Sequence, residues 1–196
     1  MTKAIVAVLF LLVATSPALA FDNTQAFAKG STVLSLEGGA GSQANFENHK
    51  HQSELDLWYT GLRYSWLPFE PGGPSILRGS FEIGVEPIYV RYYNPVEAYY
   101  AGLGFRARWH FLSLGRFVPY VETGAAAGGG NLEVKEIDST FAFLVNIGAG
   151  ASVFVTDRTA IYAGYRLIHV SNGNTDKPNR GFEAHTGVIG VSFYFK

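Results

Sequence analysis

Three polar side chains that could carry out hydrolysis lie among apolar residues near the C-terminal end of the chain. His169 and Ser171 lie two residues apart at the end of one strand-like run, and Glu183 opens the next run. If both runs are β-strands, their period of two directs these three side chains to the same side as the apolar residues. A base, a hydroxyl and a carboxylate on an apolar face are the components of a serine hydrolase that acts on a lipid.

The three residue types have complementary roles. Serine alone is a weak nucleophile, and histidine changes its charge near neutral pH. If the strand register sets Glu183 opposite or diagonal to His169, the carboxylate can orient the imidazole while the other ring nitrogen takes a proton from Ser171. A slip of one residue in the register would turn Glu183 to the other face.

Residues 172–182 connect the two runs and form a longer connection than the about two to five residues of a bare hairpin. Pro178 restrains this loop, while Gly173 and Gly181 permit positive φ angles. A loop of defined shape can present hydrogen-bond donors to the oxyanion that forms on an ester carbonyl. The candidates are the side-chain amide of Asn179 and a backbone N–H near Asn174.

Strict alternation of side-chain character predicts the elements that position these residues. Along Tyr99–Phe111 the odd positions are all apolar or aromatic, whereas most even positions are glycine or basic residues. Such a period of two predicts a β-strand. Seven further runs fit the same reading: Ser31–Gly41, Leu55–Leu67, Leu77–Val90, Phe117–Gly128, Thr140–Phe154, Thr159–Ser171 and Glu183–Phe195.

A soluble sandwich or a lipocalin-like barrel would show the same alternation, so other observations must decide which face meets lipid. The runs are long enough for tilted strands that cross an apolar band of about 25 Å. Aromatic residues cluster near the strand ends, as in an interfacial girdle. The polar face could fill the narrow interior of an eight-stranded barrel with paired charges. Its charged members are Arg63, Arg78, Glu82, Glu86, Arg106, Arg108 and Glu122. We therefore predict an all-β fold, an eight-stranded antiparallel transmembrane β-barrel of the Gram-negative outer membrane.

The connections between the runs alternate in length, which predicts the orientation of the barrel. With both termini periplasmic, residues 42–54, 91–98, 129–139 and 172–182 form the outside loops. Residues 112–116 and 155–158 form short inside turns, whereas 68–75 is longer than such turns usually are. This orientation places His169, Ser171 and Glu183 at the outer rim, on the lipid-facing side.

The N-terminus and the composition predict an exported chain with a single domain. Residues 1–20 have the basic start, the short apolar run and the small residues Ala18 and Ala20 of a cleaved signal peptide. Residues 21–196 then form one barrel domain. The chain of 196 residues has no cysteine for disulfides, and its net charge of −1 argues against a nucleic-acid partner.

Two segments resemble a known family. His169-Val170-Ser171-Asn172 and Pro178-Asn179-Arg180-Gly181-Phe182-Glu183 are similar to the C-terminal active-site segment of the PagL lipid A 3-O-deacylases. These outer-membrane barrels hydrolyse an ester-linked acyl chain of lipid A.

The resemblance implies a role for each matching position. His169 would be the general base, Ser171 the nucleophile and Glu183 the partner of the histidine. The Asn179 side chain and the backbone N–H of residue 174 would hold the oxyanion, although residue 174 is Asn here where glycine is expected. The chain also ends in Lys196 rather than in the aromatic residue typical of such barrels.

The resemblance also implies lipid A, as part of lipopolysaccharide, as the substrate. Lipids of the outer membrane would be the neighbours of the barrel, and no metal and no organic cofactor would be needed.

Other readings remain open. A barrel without enzymatic activity could anchor the membrane or bind a surface partner. Acyl transfer would need a donor pocket inside the barrel.

His185 shares the face of the candidate residues and is either a substitute base or an interfacial residue. His49 and His51 have a spacing that could bind a metal, but an exposed flexible loop is the favoured reading. Gly128–Gly130 is interpreted as a flexible loop, and a homodimer through a lipid-facing wall is left open.

Overall fold

The computed structural model describes residues 23–44, 46 and 52–196, and the described chain is almost entirely β-strand. A short helix α1 (Asn23–Ala26) precedes the first strand, and a single 3-10 turn (Ser75–Leu77) precedes the third. The strands are β1 (Thr32–Ala44), β2 (Asp56–Trp66), β3 (Gly79–Asn94), β4 (Ala98–Phe111), β5 (Phe117–Gly130), β6 (Phe141–Phe154), β7 (Thr159–Ser171) and β8 (Phe182–Phe195). The predicted signal peptide and the pair His49 and His51 lie outside the described residues.

The eight strands close into one barrel in chain order, and every neighbouring pair is antiparallel. This confirms the predicted fold. Four connections at one end, which we call the loop end, are L1 (45–55), L2 (95–97), L3 (131–140) and L4 (172–181). Three connections at the other end, the turn end, cover residues 67–78, 112–116 and 155–158. No described residue belongs to a helix that is long and apolar enough to span a bilayer.

The outer wall of the barrel is apolar, and the charged side chains point into the lumen. Leu103, Phe105 and Ile189 leave about 60–66% of their surface exposed on the outside, whereas the lumenal arginines are buried. A soluble protein would have the opposite arrangement, so the exterior is the lipid-facing surface of a transmembrane barrel.

Paired charges fill the middle of the lumen. Arg166 bonds to Glu37 and lies 2.5 Å from Glu122, measured from Nε to Oε1. The other ion pairs of this layer are Arg63 with Glu82, Arg106 with Glu86 and Arg108 with Glu122. The predicted pairing of lumenal charges is therefore confirmed, and Glu37 and Arg166, which the sequence analysis did not single out, complete the layer.

Arg78 was predicted for the lumen, and this was wrong. Arg78 is exposed, and its backbone N–H donates to the carbonyl of Ser75 at the end of the 3-10 turn. The strand begins only at Gly79 because the chain turns at this point.

Both ends of the lumen are apolar, which the alternation did not predict. At the turn end, Phe27 is fully buried against Phe154 and Tyr194. At the loop end, Leu132 and Ile137 of L3 are buried with the lumenal side chains of the strands around them. L3 is thus folded into the mouth of the barrel rather than extended away from it.

The prediction of a flexible loop at Gly128–Gly130 was also wrong. These glycines form the last residues of β5 and pair with β4, and Gly128 and Gly129 also pair with β6. A side chain at Gly128 would overlap the carbonyl of Ala101, so glycine lets the neighbouring strands approach closely there.

Candidate active site

His169 and Glu183 face each other across β7 and β8 on the lipid-facing wall. The register pairs these two residues directly. The Nδ1 atom of His169 lies 2.9 Å from Oε1 of Glu183, and their side chains are 43% and 33% exposed. The carboxylate therefore holds the ring through Nδ1, and Nε2 is the nitrogen left for a proton transfer.

Ser171 ends β7 on the same wall, two residues beyond His169. It is half-buried and lies opposite Phe143 of β6. Among the hydrogen bonds of the described residues, none joins the Ser171 hydroxyl to the His169 ring. Contacts between a nucleophile and its base are often long before substrate binds and tighten in the complex.

Asn172 organises L4 from within and was not singled out by the sequence analysis. Its side chain is buried, and its Nδ2 atom donates to the carbonyl of Asp176 at 3.1 Å. Its own carbonyl accepts from the hydroxyl of Thr175 at 2.8 Å. The Asn-Gly pair that opens the loop is a common turn signal, which could have pointed to this residue.

Asn179 is held in one orientation. Its Oδ1 atom accepts a hydrogen bond of 2.9 Å from the backbone N–H of Asn172. A backbone N–H can only donate, so this contact identifies the oxygen of the amide and leaves Nδ2 as a donor on the other side. No hydrogen bond from Nδ2 occurs among the described residues.

Asn174 lies at the tip of L4, and its backbone N–H is already engaged. The donor meets Oδ1 of Asn172 at 2.9 Å. Gly173 and Asn174 both have a φ angle of 64°, as in the mirror-image turns of hairpins. Asn tolerates this left-handed conformation better than most residues, which explains why it can replace the expected glycine.

Gly181 is the last residue of L4 and packs directly against His169 and Ser171. Its φ angle is 70° and that of Gly173 is 64°, so both glycines adopt the positive φ that glycine was expected to permit. A methyl group at this position would lie 3.1 Å from Cε1 of His169 and 3.3 Å from Cβ of Ser171. The sequence predicted the backbone conformation but not this close contact.

L3 packs against L4 and supplies a buried carboxylate behind the site. Glu136 accepts hydrogen bonds from Ser53, Gln43 and Arg180. Burial opposes ionisation of this carboxyl, but the hydrogen bonds from Ser53 and Gln43 outweigh it and hold the pKa of Glu136 below its usual value. No pattern in the sequence indicated this arrangement.

The remaining candidate histidine occupies a separate position on the wall. His185 lies opposite Leu167, and its Nδ1 atom is hydrogen-bonded to the hydroxyl of Tyr165. The ring of Phe46 packs against it at 5.3 Å between centroids. Within residues 23–44, 46 and 52–196, no group of three acidic, histidine or cysteine side chains could hold a metal ion.

The fold and its surface define an outer-membrane β-barrel with a histidine, a serine and a glutamate on its lipid-facing wall. Solved structures with the same architecture include the outer-membrane enzyme PagL, at 17% identity over 80% of this chain and 97% of that one, with a TM-score of 0.62. Neisserial surface protein A also matches, at 13% identity over 85% of this chain and 100% of that one, with a TM-score of 0.62. Both matches have low sequence identity and the same TM-score, so they show the shared fold and nothing about activity.

The sequence itself identifies the family. The model of the lipid A 3-O-deacylase (PagL) family matches residues 58–192, and the chain belongs to this family. Comparison with the curated proteins found no match. The chain is therefore an outer-membrane protein of a family of lipid A deacylases, as the resemblance implied. The comparisons give no support to a homodimer.

Proposed function

We propose that this protein is a lipid A 3-O-deacylase that cleaves an ester-linked 3-hydroxyacyl chain by a serine esterase mechanism. The observation that carries the proposal is the 2.9 Å contact between His169 and Glu183 on the lipid-facing wall, beside Ser171. Family membership supports the deacylase activity, and the site supplies the residues for it.

In the first half of the reaction, Ser171 Oγ attacks the ester carbonyl while its proton passes to Nε2 of His169. Glu183 stabilises the imidazolium that forms. The carbonyl oxygen becomes an oxyanion, and Nδ2 of Asn179 donates to it. The intermediate then expels the sugar oxygen, which takes the proton from His169, and the acyl chain remains on Ser171.

In the second half, His169 accepts a proton from a water molecule that attacks the acyl-enzyme. The 3-hydroxy fatty acid leaves, and the proton returns to Ser171 Oγ. The backbone N–H of Asn174 can take part in oxyanion binding only if it leaves Oδ1 of Asn172. Asn179 is therefore the principal donor in this proposal.

The surroundings of the site suit a substrate that is embedded in a membrane. Phe143 and Val145 lie opposite Ser171 and His169 on β6 and are 39% and 45% exposed on the outer wall. A lipid that diffuses laterally in the outer leaflet reaches Ser171 along this wall, with its acyl chain against apolar side chains.

Hydrolysis fits the barrel better than acyl transfer. A transfer reaction would need an internal pocket for the donor lipid. The lumen is instead occupied by a charged layer between two apolar ends, with buried side chains such as Arg166, Tyr92 and Phe27.

Mass spectrometry of lipid A from a Gram-negative host tests the proposal. Cells with the wild-type protein should lose one ester-linked hydroxyacyl chain, and cells with Ser171→Ala should not, although the barrel still folds. Ser42→Ala serves as the matched control, because Ser42 lies on the outer wall but bonds only to Asp56 among the described side chains. Unchanged acyl loss in Ser171→Ala would refute the mechanism. No acyl loss with the wild-type protein would favour a barrel without enzymatic activity.

A further inference from the structure

We propose that Glu136 of L3 is a positioning residue that holds residues 179–181 of L4 in the geometry required for catalysis. This inference rests on the proposed function, since it gives Glu136 an indirect role in stabilising the transition state of that reaction. Glu136 does not touch the substrate in this proposal and acts through Asn179 and Gly181.

The backbone of L3 holds L4 at the residues next to the site. The carbonyl of Glu136 accepts two hydrogen bonds, from the N–H of Arg180 at 2.8 Å and from the N–H of Gly181 at 3.0 Å. An isolated β-bridge joins Ile137 to Asn179. L3 therefore acts as a short partner strand for the part of L4 that contains the oxyanion donor.

The side chain of Glu136 ties this pairing to L1. Oε1 accepts from the backbone N–H of Ser53 at 2.9 Å and from Nε2 of Gln43 at 3.1 Å. Oε2 accepts from the hydroxyl of Ser53 at 2.6 Å. Oε1 also pairs with Nη2 of Arg180 at 3.1 Å. One buried carboxylate thus joins three segments at the loop end of the barrel.

The frame behind Glu136 is fixed by packing. Its neighbour Ile137 and Leu132 are buried among the apolar side chains at the loop end of the lumen. L3 consequently has little freedom to shift while Glu136 keeps its bonds. L4, by contrast, has mostly exposed side chains between Gly173 and Pro178.

The held segment contacts the chemistry at two points. Asn179 offers the donor for the oxyanion, and Gly181 lies against His169 and Ser171. A shift of this segment by a fraction of an ångström would weaken oxyanion binding and disturb the base at the same time. Oxyanion contacts form fully only in the transition state, so the loss should fall on kcat and leave KM nearly unchanged.

Three variants of the full-length protein, assayed in detergent micelles with purified lipid A, separate the possibilities. Glu136→Ala should lower kcat by about 10- to 100-fold and leave KM within about twofold. This loss is no larger than the loss of kcat expected when a whole oxyanion donor is removed. Glu136→Gln keeps an oxygen for the N–H donors and should stay within about fivefold of the wild type. Glu133→Ala, on the exposed side of the same loop, is the matched control and should not change kcat.

Limited digestion with trypsin measures how firmly L4 is held, independently of activity. Trypsin does not cut Lys177–Pro178, so Arg180–Gly181 is the site in L4 that reports loosening. Release of the fragment 181–196 should be faster in Glu136→Ala than in the wild type and in Glu133→Ala. If Glu136→Ala does not assemble, Ser53→Ala tests the same contact, with a fall in kcat of about threefold expected from the loss of one hydrogen bond.

Wild-type kcat and wild-type protection of Arg180–Gly181 in a folded Glu136→Ala would overturn the inference. So would an equal loss in Glu133→Ala. Failure of the proposed function has a different signature, because Ser171→Ala would then be as active as the wild type while the digestion still shows whether Glu136 holds L4.

Discussion

Replacing Gly181 with alanine would place a methyl group against the base and the nucleophile. The new Cβ would lie 3.1 Å from Cε1 of His169, 3.3 Å from Cβ of Ser171 and 2.8 Å from the carbonyl oxygen of Val170. The last contact is with backbone and cannot be relieved by a rotamer change. The chain at residue 181 must move by roughly half an ångström to restore ordinary contact distances of about 3.5 Å.

The substitution has two separable costs. A φ angle of 70° is unfavourable for alanine by about 1–2 kcal/mol, which lowers the free energy of unfolding. The displacement of His169 and of the neighbouring Asn179 costs activity, and misplacement of about 1 Å can cost 100-fold. For a shift of roughly half that size we expect kcat/KM to fall about 10-fold.

Gly115→Ala provides the control for backbone strain. Gly115 has a φ angle of 63°, and a methyl group there would meet nothing within 4 Å. It should therefore lose the same about 1–2 kcal/mol of stability as the backbone component in Gly181→Ala, with unchanged kcat/KM. Release of fatty acid from lipid A and urea unfolding in micelles measure the two quantities. Equal activity in the two variants would refute the argument that the contact of Gly181 with His169 matters.

Three further predictions concern the oxyanion, the lumen and pH. Asn179→Ala should lower kcat by about 10²- to 10³-fold in a folded barrel, and a smaller effect than twofold in steady-state kinetics would remove Asn179 from the mechanism. Arg166→Met should lower the free energy of unfolding in urea by roughly 3–5 kcal/mol, because it removes the cation that contacts two buried glutamates, Glu37 and Glu122, whereas the exposed Arg158→Met should cost little. The pKa of Glu136 is held below its usual value, so its contribution to stability is complete above about pH 4.3, the value in the unfolded chain, and is lost as the pH falls through the folded value. Hydrogen exchange of the Arg180 amide should accordingly lose protection at acid pH beyond the intrinsic pH effect in the wild type, and Glu136→Gln should remove that acid sensitivity.

Alternation predicted the strands, and strand length, aromatic positions and the charged polar face together predicted the transmembrane barrel. Lipid requires apolar side chains outside, and the narrow lumen forces the charges inside to pair. The same parity placed His169, Ser171 and Glu183 on one wall. It could not choose the register of β7 and β8, and the contact between His169 and Glu183 depends on that register.

Contacts between loops were beyond the reach of the sequence. Nothing in the pattern of L3 indicated that Ile137 would be buried in the mouth of the barrel or that Glu136 would bond to L1 and L4. Such contacts join segments far apart in the chain and follow no period. Gly128–Gly130 was misread for a related reason, since glycine in a closely packed strand has the same local signature as glycine in a loop.

Covalent labelling tests the central claim, that Ser171 is a nucleophile activated by His169. A lipid-like fluorophosphonate, which reacts with activated serines, should attach to the wild-type protein at Ser171. Tryptic mass spectrometry should find the adduct on the peptide 167–180. No adduct should form in Ser171→Ala or in His169→Ala, and labelling should be undiminished in His185→Ala. Labelling at another residue, or labelling of Ser171 that does not depend on His169, would contradict the role of Ser171 as a nucleophile activated by His169.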